Sequence, residues 1–568
     1  MIAEVLDDSP KAVRASVRPA FARLALVLGV YALAMAFCLR DVIASGFDLG
    51  FGDRADGLIE ISILEHWRNV LHGFGDWRTP LYFHPYRDTL GYNDGYFLFG
   101  LVYSGLRLAF DPFWSDTLNA LVFKSIGFFS ALALFRRGLG WRPNPALLAA
   151  SLFSIGNGLG LQSVHAQLQS IGLEPLLFLL AIEAWKAGTG GRQIAAAGWA
   201  VGAAALLAAW LLTSFYMAWF ALFFGAAFAA CWLWDRDRLR PAATWELVRV
   251  HGLTFAAAGL AFVMFSLPFL WVYLPKVVET GAHRFGDAQN YLVMPLDPVN
   301  VGPRNILWGW INQGLLAVLP SKLVVDEHAS GFPLAFFVLF VLAMRQTLRR
   351  PAGTATPPPH LRALALSILA TWLLTIQLGP VSPWRLIGLI VPGANGLRTV
   401  VRYQLFLLLP ALILVFQTLA GRWERLRDAR PAAAAALVLL LLAENINLQS
   451  AADLSRSAQR AALAAIPPPP AACRSFFVVK ARAGEGFYKK EIADRVYPHN
   501  VDAMLLAQLW RRPTVNGFST FNPPDWDFAS PRAPDYLGRV GAYAARHDLH
   551  GLCGLDMRQP RPWTMLRP

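Results

Sequence analysis

Apolar runs of roughly 16 to 22 residues recur from Phe21 to Leu448, separated by short polar connections, and a helix needs about 20 residues to cross some 30 Å of hydrocarbon. The runs show no alternation of period two, the pattern a membrane β-barrel requires. The chain is therefore expected to be mostly α, a polytopic membrane protein with a first span at 21–39. Further spans are expected near 117–135, 145–162, 172–186, 194–212, 214–234, 252–274, 333–347, 362–379, 403–420 and 431–448, about eleven in all. The run at 96–110 is short and contains Arg107, so it is predicted to lie at the interface or re-enter. The first run follows Lys11, Arg14 and Arg18 and contains Ala34-Met35-Ala36, features of a signal peptide; its length favours an uncleaved anchor.

Between the first two spans, residues 40–95 form a polar loop rich in carboxylates. Within it Leu58, Ile61, Leu64, Val70 and Leu71 recur at helical spacing, predicting an amphipathic helix over 56–71 that lies along the membrane surface. From about 449 the chain turns polar, passes Pro467–Pro470 and reaches the strand-like Phe476-Phe477-Val478-Val479. Three regions follow: an N-terminal segment 1–20, a transmembrane region 21–448, and a small mixed α/β C-terminal domain 449–568. Thr354–Pro359 reads as a loop. No internal repeat is visible, which disfavours the two-halved architecture of many transporters.

Composition agrees with the pattern, since 55% hydrophobic and 15% charged residues lie outside the range of soluble domains. The net charge of +14 would suggest nucleic acid in a soluble protein. Here the basic residues gather in the short loops Lys186–Arg192, Arg236–Arg240, Arg345–Arg350 and Arg422–Arg430, the positive-inside pattern, so the charge is assigned to topology and no nucleic-acid partner is expected. With those loops in the cytoplasm, the N-terminus is inside. The carboxylate loop, the loops 162–171, 275–332 and 380–402, and the tail are outside. Cys38 and Cys231 read as packing residues; Cys473 and Cys553 in the tail can pair if that compartment is oxidising.

Candidate chemistry concentrates in those external segments. Asp53 and Asp56, three apart at a helix start, can share a side and serve as a general base; their structural role would be capping. Arg398 and Arg402, with Arg385 nearby, form a cationic cluster suited to a phosphate, or else anchors at the headgroup level. Glu60, Asp94, His165, Gln167, Glu327, His328 and Tyr403 are candidates to line the cavity between them. None of these spacings is a recognised metal-ligand pattern, and no phosphate-binding loop, dinucleotide fingerprint or Gly-x-Ser-x-Gly is present. No cofactor is called for, although a divalent cation, Mg or Mn, is compatible with the carboxylates.

Four stretches carry a family resemblance: Gly52-Asp53-Arg54-Ala55-Asp56; Tyr82-Phe83-His84-Pro85-Tyr86; His165-Ala166-Gln167 before Glu174-Pro175-Leu176; and Pro392-Gly393-Ala394-Asn395-Gly396-Leu397-Arg398 before Arg402-Tyr403. Together with one span followed by an acidic external loop, they resemble the GT-C class of integral-membrane glycosyltransferases over about residues 20–450. The tail adds Pro513-Thr514-Val515-Asn516-Gly517-Phe518. The Asp-Glu pair of the protein-mannosyltransferase branch is absent, so the choice between Asp53 and Asp56 stays open, with Asp53 the first choice. The resemblance implies a polyprenyl-phosphate-linked sugar donor, an envelope glycan or lipid acceptor, inversion at the anomeric carbon, and a place in the bacterial inner membrane with the active face periplasmic. Competing expectations are a transporter or flippase of a lipid-linked glycan, and a non-catalytic glycan-assembly protein.

Overall fold

The computed structural model describes residues 10–235, 241–318, 325–349, 359–480, Arg482 and 491–566. The basic connection Arg236–Arg240, residues 1–9 and loop residues 354–358 lie outside them. Among the described residues, eight helices are long and apolar enough to cross a membrane, at Phe21–Cys38, Pro112–Gly138, Pro143–Val164, Ala166–Thr189, Gln193–Thr213, Phe215–Trp234, Ala242–Thr280 and Val400–Ala429. Shorter apolar helices at Leu334–Leu348, His360–Thr375 and Pro431–Ala443 occupy the other expected spans, and Phe97–Leu106 is the short run before the second span. The chain is a multi-pass membrane protein. The Pro241–Thr280 helix is longer than its apolar run predicted: at 1.5 Å per residue its 40 residues reach about 60 Å, well past the hydrocarbon.

The first loop is held at the membrane end by the chain that follows the last apolar helix. Strand β1 (Leu49–Gly50) pairs antiparallel with β2 (Leu454–Ser455), Leu49 opposite Ser455. Just beyond, Gly52 accepts from Asp453 and donates to Ala451. Gly52 has φ +79°, and a Cβ there would stand 3.1 Å from the Gly57 Cα, so the turn that launches the next helix requires glycine.

That helix, Asp56–Leu71, matches the expected range, but it is sandwiched rather than half-exposed. Its polar positions Glu60, Glu65 and Asn69 are buried along with its leucines and isoleucines. Glu65 accepts from the Tyr103 hydroxyl at 2.7 Å and pairs with Arg107. Asn69 donates to the Gln508 carbonyl at 2.9 Å. The Phe97–Leu106 helix covers one side, with Gly100 against the Trp67 ring, and Glu491–Trp510 of the tail covers another.

The tail contains a three-stranded sheet, β3 (Ser475–Lys480) parallel to β4 (Leu552–Asp556) and β4 antiparallel to β5 (Trp563–Met565). The expected strand at Phe476–Val479 is β3. Cys473 and Cys553, the latter on β4, form a disulfide. The tail also docks on the first loop: Phe83 and His84 donate to the carbonyls of Asn516 and Thr514, and Thr514 donates to Leu81.

Candidate active site

The acidic motif starts the Asp56–Leu71 helix, and its two aspartates do different things. Asp53 Oδ1 accepts from the backbone N–H groups of Ala55 and Asp56 at 2.7 and 2.8 Å, a capping arrangement for donors that no intrahelical carbonyl can serve. Asp56 turns its carboxylate outward, to His165, whose Nδ1 lies 2.9 Å from Asp56 Oδ2. The other ring nitrogen, Nε2, is 3.4 Å from Glu327 Oε1. Glu327 in turn takes a two-pronged contact from Arg402, Nε to Oε2 at 2.9 Å and Nη2 to Oε1 at 2.7 Å. A chain of alternating charge results, Asp56–His165–Glu327–Arg402, drawn from four separate segments.

The electrostatics follow from these contacts. Burial and Arg402 both oppose a proton on His165, but its hydrogen bonds to Asp56 and Glu327 outweigh them and raise its pKa from 6.5 to about 9. Burial raises the Asp56 carboxyl, and the hydrogen bond and charge of His165 overcome it, leaving a net lowering. Glu327 likewise meets burial, outweighed by Arg402 and His165, which hold it far below the carboxylate range. At neutral pH the chain is two carboxylates bridged by an imidazolium and closed by a guanidinium. Asp56 is the open end, with 38% of its side chain exposed, against 12% for Glu327 and 7% for Arg402.

Tyr216 organises the cationic side. Its hydroxyl accepts from the backbone N–H groups of Arg398 and Thr399 at 2.8 and 3.2 Å, and its ring lies 5.6 Å under the Arg402 guanidinium. Arg398 is exposed, its guanidinium 5.3 Å from the Tyr291 ring. Arg385 lines a separate cavity of about 180 Å³ with His283, Arg284 and Trp384.

The remaining candidates have local duties. Gln167 accepts from the Tyr96 hydroxyl at 3.0 Å. Asp94 accepts from Phe215 N at 2.9 Å, and burial raises its pKa to about 6. Burial, then the charge and hydrogen bond of Asp116, push Glu60 well above the carboxylate range. His328 points away from its neighbour Glu327: it is fully buried between Asp297, at 2.5 Å, and the Asn290 carbonyl, at 3.0 Å. Tyr403 is fully buried against Phe220 and Phe223.

No family model matches the sequence, and no curated protein matches it. Solved structures do match. The oligosaccharyltransferase of Archaeoglobus fulgidus tethered to an acceptor peptide superimposes over 93% of this chain and 68% of its own, with TM-score 0.52 and 12% identity. The archaeal oligosaccharyltransferase AglB from the same organism, in complex with an inhibitory peptide and a dolichol-phosphate, gives TM-score 0.50 at 11% identity over 93% and 69%. ArnT from Cupriavidus metallidurans covers 95% of this chain and 93% of its own at TM-score 0.41 and 14% identity. The fold is that of the GT-C membrane glycosyltransferases.

Within this GT-C fold, Asp56, His165 and Glu327 offer oxygen and nitrogen donors, yet they face one another rather than a common centre. Both nitrogens of His165 are engaged, by Asp56 and Glu327, and both oxygens of Glu327 meet Arg402. Among the described residues no group of three or more His, Cys, Asp or Glu side chains forms a metal site.

Two contributors are hard to find in the sequence. Asp116 sits at the start of an apolar run and pairs with Glu60 only through tertiary packing. Asp502 of the tail reaches the acidic motif itself, accepting from Arg54 at 2.9 Å and pairing also with Arg482.

Proposed function

We propose that the chain is a glycosyltransferase that moves a sugar from a polyprenyl-phosphate-linked donor to an envelope glycan or lipid acceptor at the external face of the bacterial inner membrane. The observation that carries the reading is the open Asp56 at the end of a buried, charge-alternating chain, at the membrane end of a GT-C fold. Asp56, kept ionised by His165, accepts the proton of the acceptor hydroxyl as that oxygen attacks the anomeric carbon. The bond from the anomeric carbon to the phosphate oxygen breaks, and configuration inverts in the single displacement. Arg402 spends Nε and Nη2 on Glu327, so a phosphate oxygen meets its Nη1, while Arg398 closes from the exposed side. Arg385 is assigned to the donor headgroup further out. Asp53 holds the helix start that aims Asp56.

The dolichol-phosphate of the archaeal neighbour is a polyprenyl phosphate, which supports the donor class. The Cys473–Cys553 disulfide supports an oxidising compartment for the tail and so for the face it covers. The test is transfer by the purified chain in nanodiscs, supplied with polyprenyl-phosphate sugars and glycan acceptors, compared with Asp56→Asn. Loss of transfer in the variant is expected; transfer at the wild-type rate by Asp56→Asn sinks the assignment.

A further inference from the structure

The helix Leu408–Ala429 links two unlike places. Arg402 stands just before its start, in the carboxylate site; Arg422 comes 20 residues later, about 30 Å along at 1.5 Å per residue, one hydrocarbon thickness away. At that far end a cavity of about 890 Å³ opens between this helix and those at Pro143–Ser154, Leu334–Leu348 and Pro431–Ala443. Its apolar lining includes Leu148, Leu339, Phe416 and Leu437. The cavity is open to its surroundings and its lining is mainly apolar, with Gln346, Thr347, Gln417 and Thr418 among its polar members, and open apolar surface at membrane depth is covered by hydrocarbon. The occupant therefore brings hydrocarbon.

The rim says what the hydrocarbon is attached to. The charged residues of the lining are Arg142, Arg422, Glu424 and Arg427, with His360 beside them. Arg142 is neutralised by Glu424 at 2.9 Å, and Arg427 by Asp428 at 2.8 Å. Arg422 is exposed and makes no ion pair among the described residues. One guanidinium is left unopposed over an apolar slot, with Trp141 and Trp423 at the level where amphipathic rings favour the interface. We propose that this cavity binds one monoanionic glycerophospholipid, such as phosphatidylglycerol, from the leaflet opposite the carboxylate site, its phosphate on Arg422 and an acyl chain between Leu339, Phe416 and Leu437. Basic pockets between membrane helices recognise anionic headgroups in this way.

The test uses the full chain in nanodiscs of mixed phosphatidylcholine and phosphatidylglycerol, released into detergent and weighed by native mass spectrometry. One phosphatidylglycerol retained per chain is expected, with Arg422→Gln reducing its retention about fivefold, the effect of one surface cation on an anionic lipid. Leu437→Trp, which fills the slot, should expel the lipid from protein that still elutes as folded. Equal retention of the two lipids, or retention unchanged in Arg422→Gln, overturns the proposal. Displacement of phosphatidylglycerol by one equivalent of polyprenyl phosphate also overturns it, by making the cavity a second donor site.

Discussion

The Asp56–Leu71 helix carries two ion-paired carboxylates, and the contrast between them separates structure from function. Glu65 is wholly buried, and its oxygens meet Tyr103, Arg107 and Arg68. Asp56, at the first residue of the helix, is the more exposed and has one side-chain partner, His165, which passes the interaction on to Glu327 and Arg402. Both are paired, so pairing marks neither as a site. What differs is the capacity left over: Glu65 is saturated by its own helix and its neighbours, whereas Asp56 keeps an exposed side, the one the proposed function gives to an incoming hydroxyl.

The sharpest way to break this contrast is to remove each charge alone. Asp56→Asn is expected to lower transfer by about 10²- to 10⁴-fold, the usual contribution of a general base, with a smaller loss of thermal stability than Glu65→Gln gives, because His165 keeps Glu327 as a partner. Glu65→Gln leaves Arg107 partnered by a neutral amide in a buried setting, where broken pairs cost about 3–5 kcal/mol, so the loss appears in the melting temperature. If the two variants show the same signature, the distinction fails. Arg402→Gln ranks next. On the proposed function it removes the cation assigned to the leaving phosphate and should cost about 10²-fold in transfer, the scale of a single oxyanion donor, along with stability from the broken Glu327 pair.

A smaller effect tests the linkage within the chain. His165 has its pKa raised from 6.5 to about 9 in the folded protein, so its charged form is the stabilised one. That contribution is full below about pH 6.5 and is lost as the pH rises through about 9, when the proton shared between Asp56 and Glu327 leaves. Transfer should therefore fall on the alkaline side with a midpoint near 9, and His165→Asn should remove that limb. A limb that persists in His165→Asn belongs to another group.

The spans were legible because the bilayer imposes a length on every crossing helix, and the strand at β3 was legible from its β-branched and aromatic run. Each member of the Asp56–His165–Glu327–Arg402 chain could be named from its residue type and its place at one membrane end. Their union could not: Asp56 and His165 are 109 positions apart and Glu327 and Arg402 are 75 apart, and no local pattern encodes such pairings. His328 shows the same limit at short range, since adjacent residues of a helix point in different directions and its ring goes to Asp297. The burial of the Asp56–Leu71 helix was hidden because its cover is the tail, which meets it through contacts such as Asn69 to Gln508, 439 positions apart. A polar face read as solvent-facing was polar because it bonds to another part of the protein.

The finest test concerns Asp53, which spacing alone cannot tell from Asp56. Its Oδ1 serves two backbone N–H groups, one of them that of Asp56. An asparagine keeps that acceptor oxygen and an alanine removes it, so the two substitutions separate capping from charge. Asp53→Ala is expected to lose about 1 kcal/mol of stability, the ordinary worth of such a cap, with a modest drop in transfer as the helix start loosens; Asp53→Asn should stay close to wild type in both. The opposite ranking, with Asp53→Asn inactive and Asp56→Asn active, would exchange their roles and make Asp53 the base. It would also mean that a carboxylate already committed to two backbone donors had given them up on binding substrate, which would appear as faster amide exchange at Ala55 and Asp56 in the presence of donor.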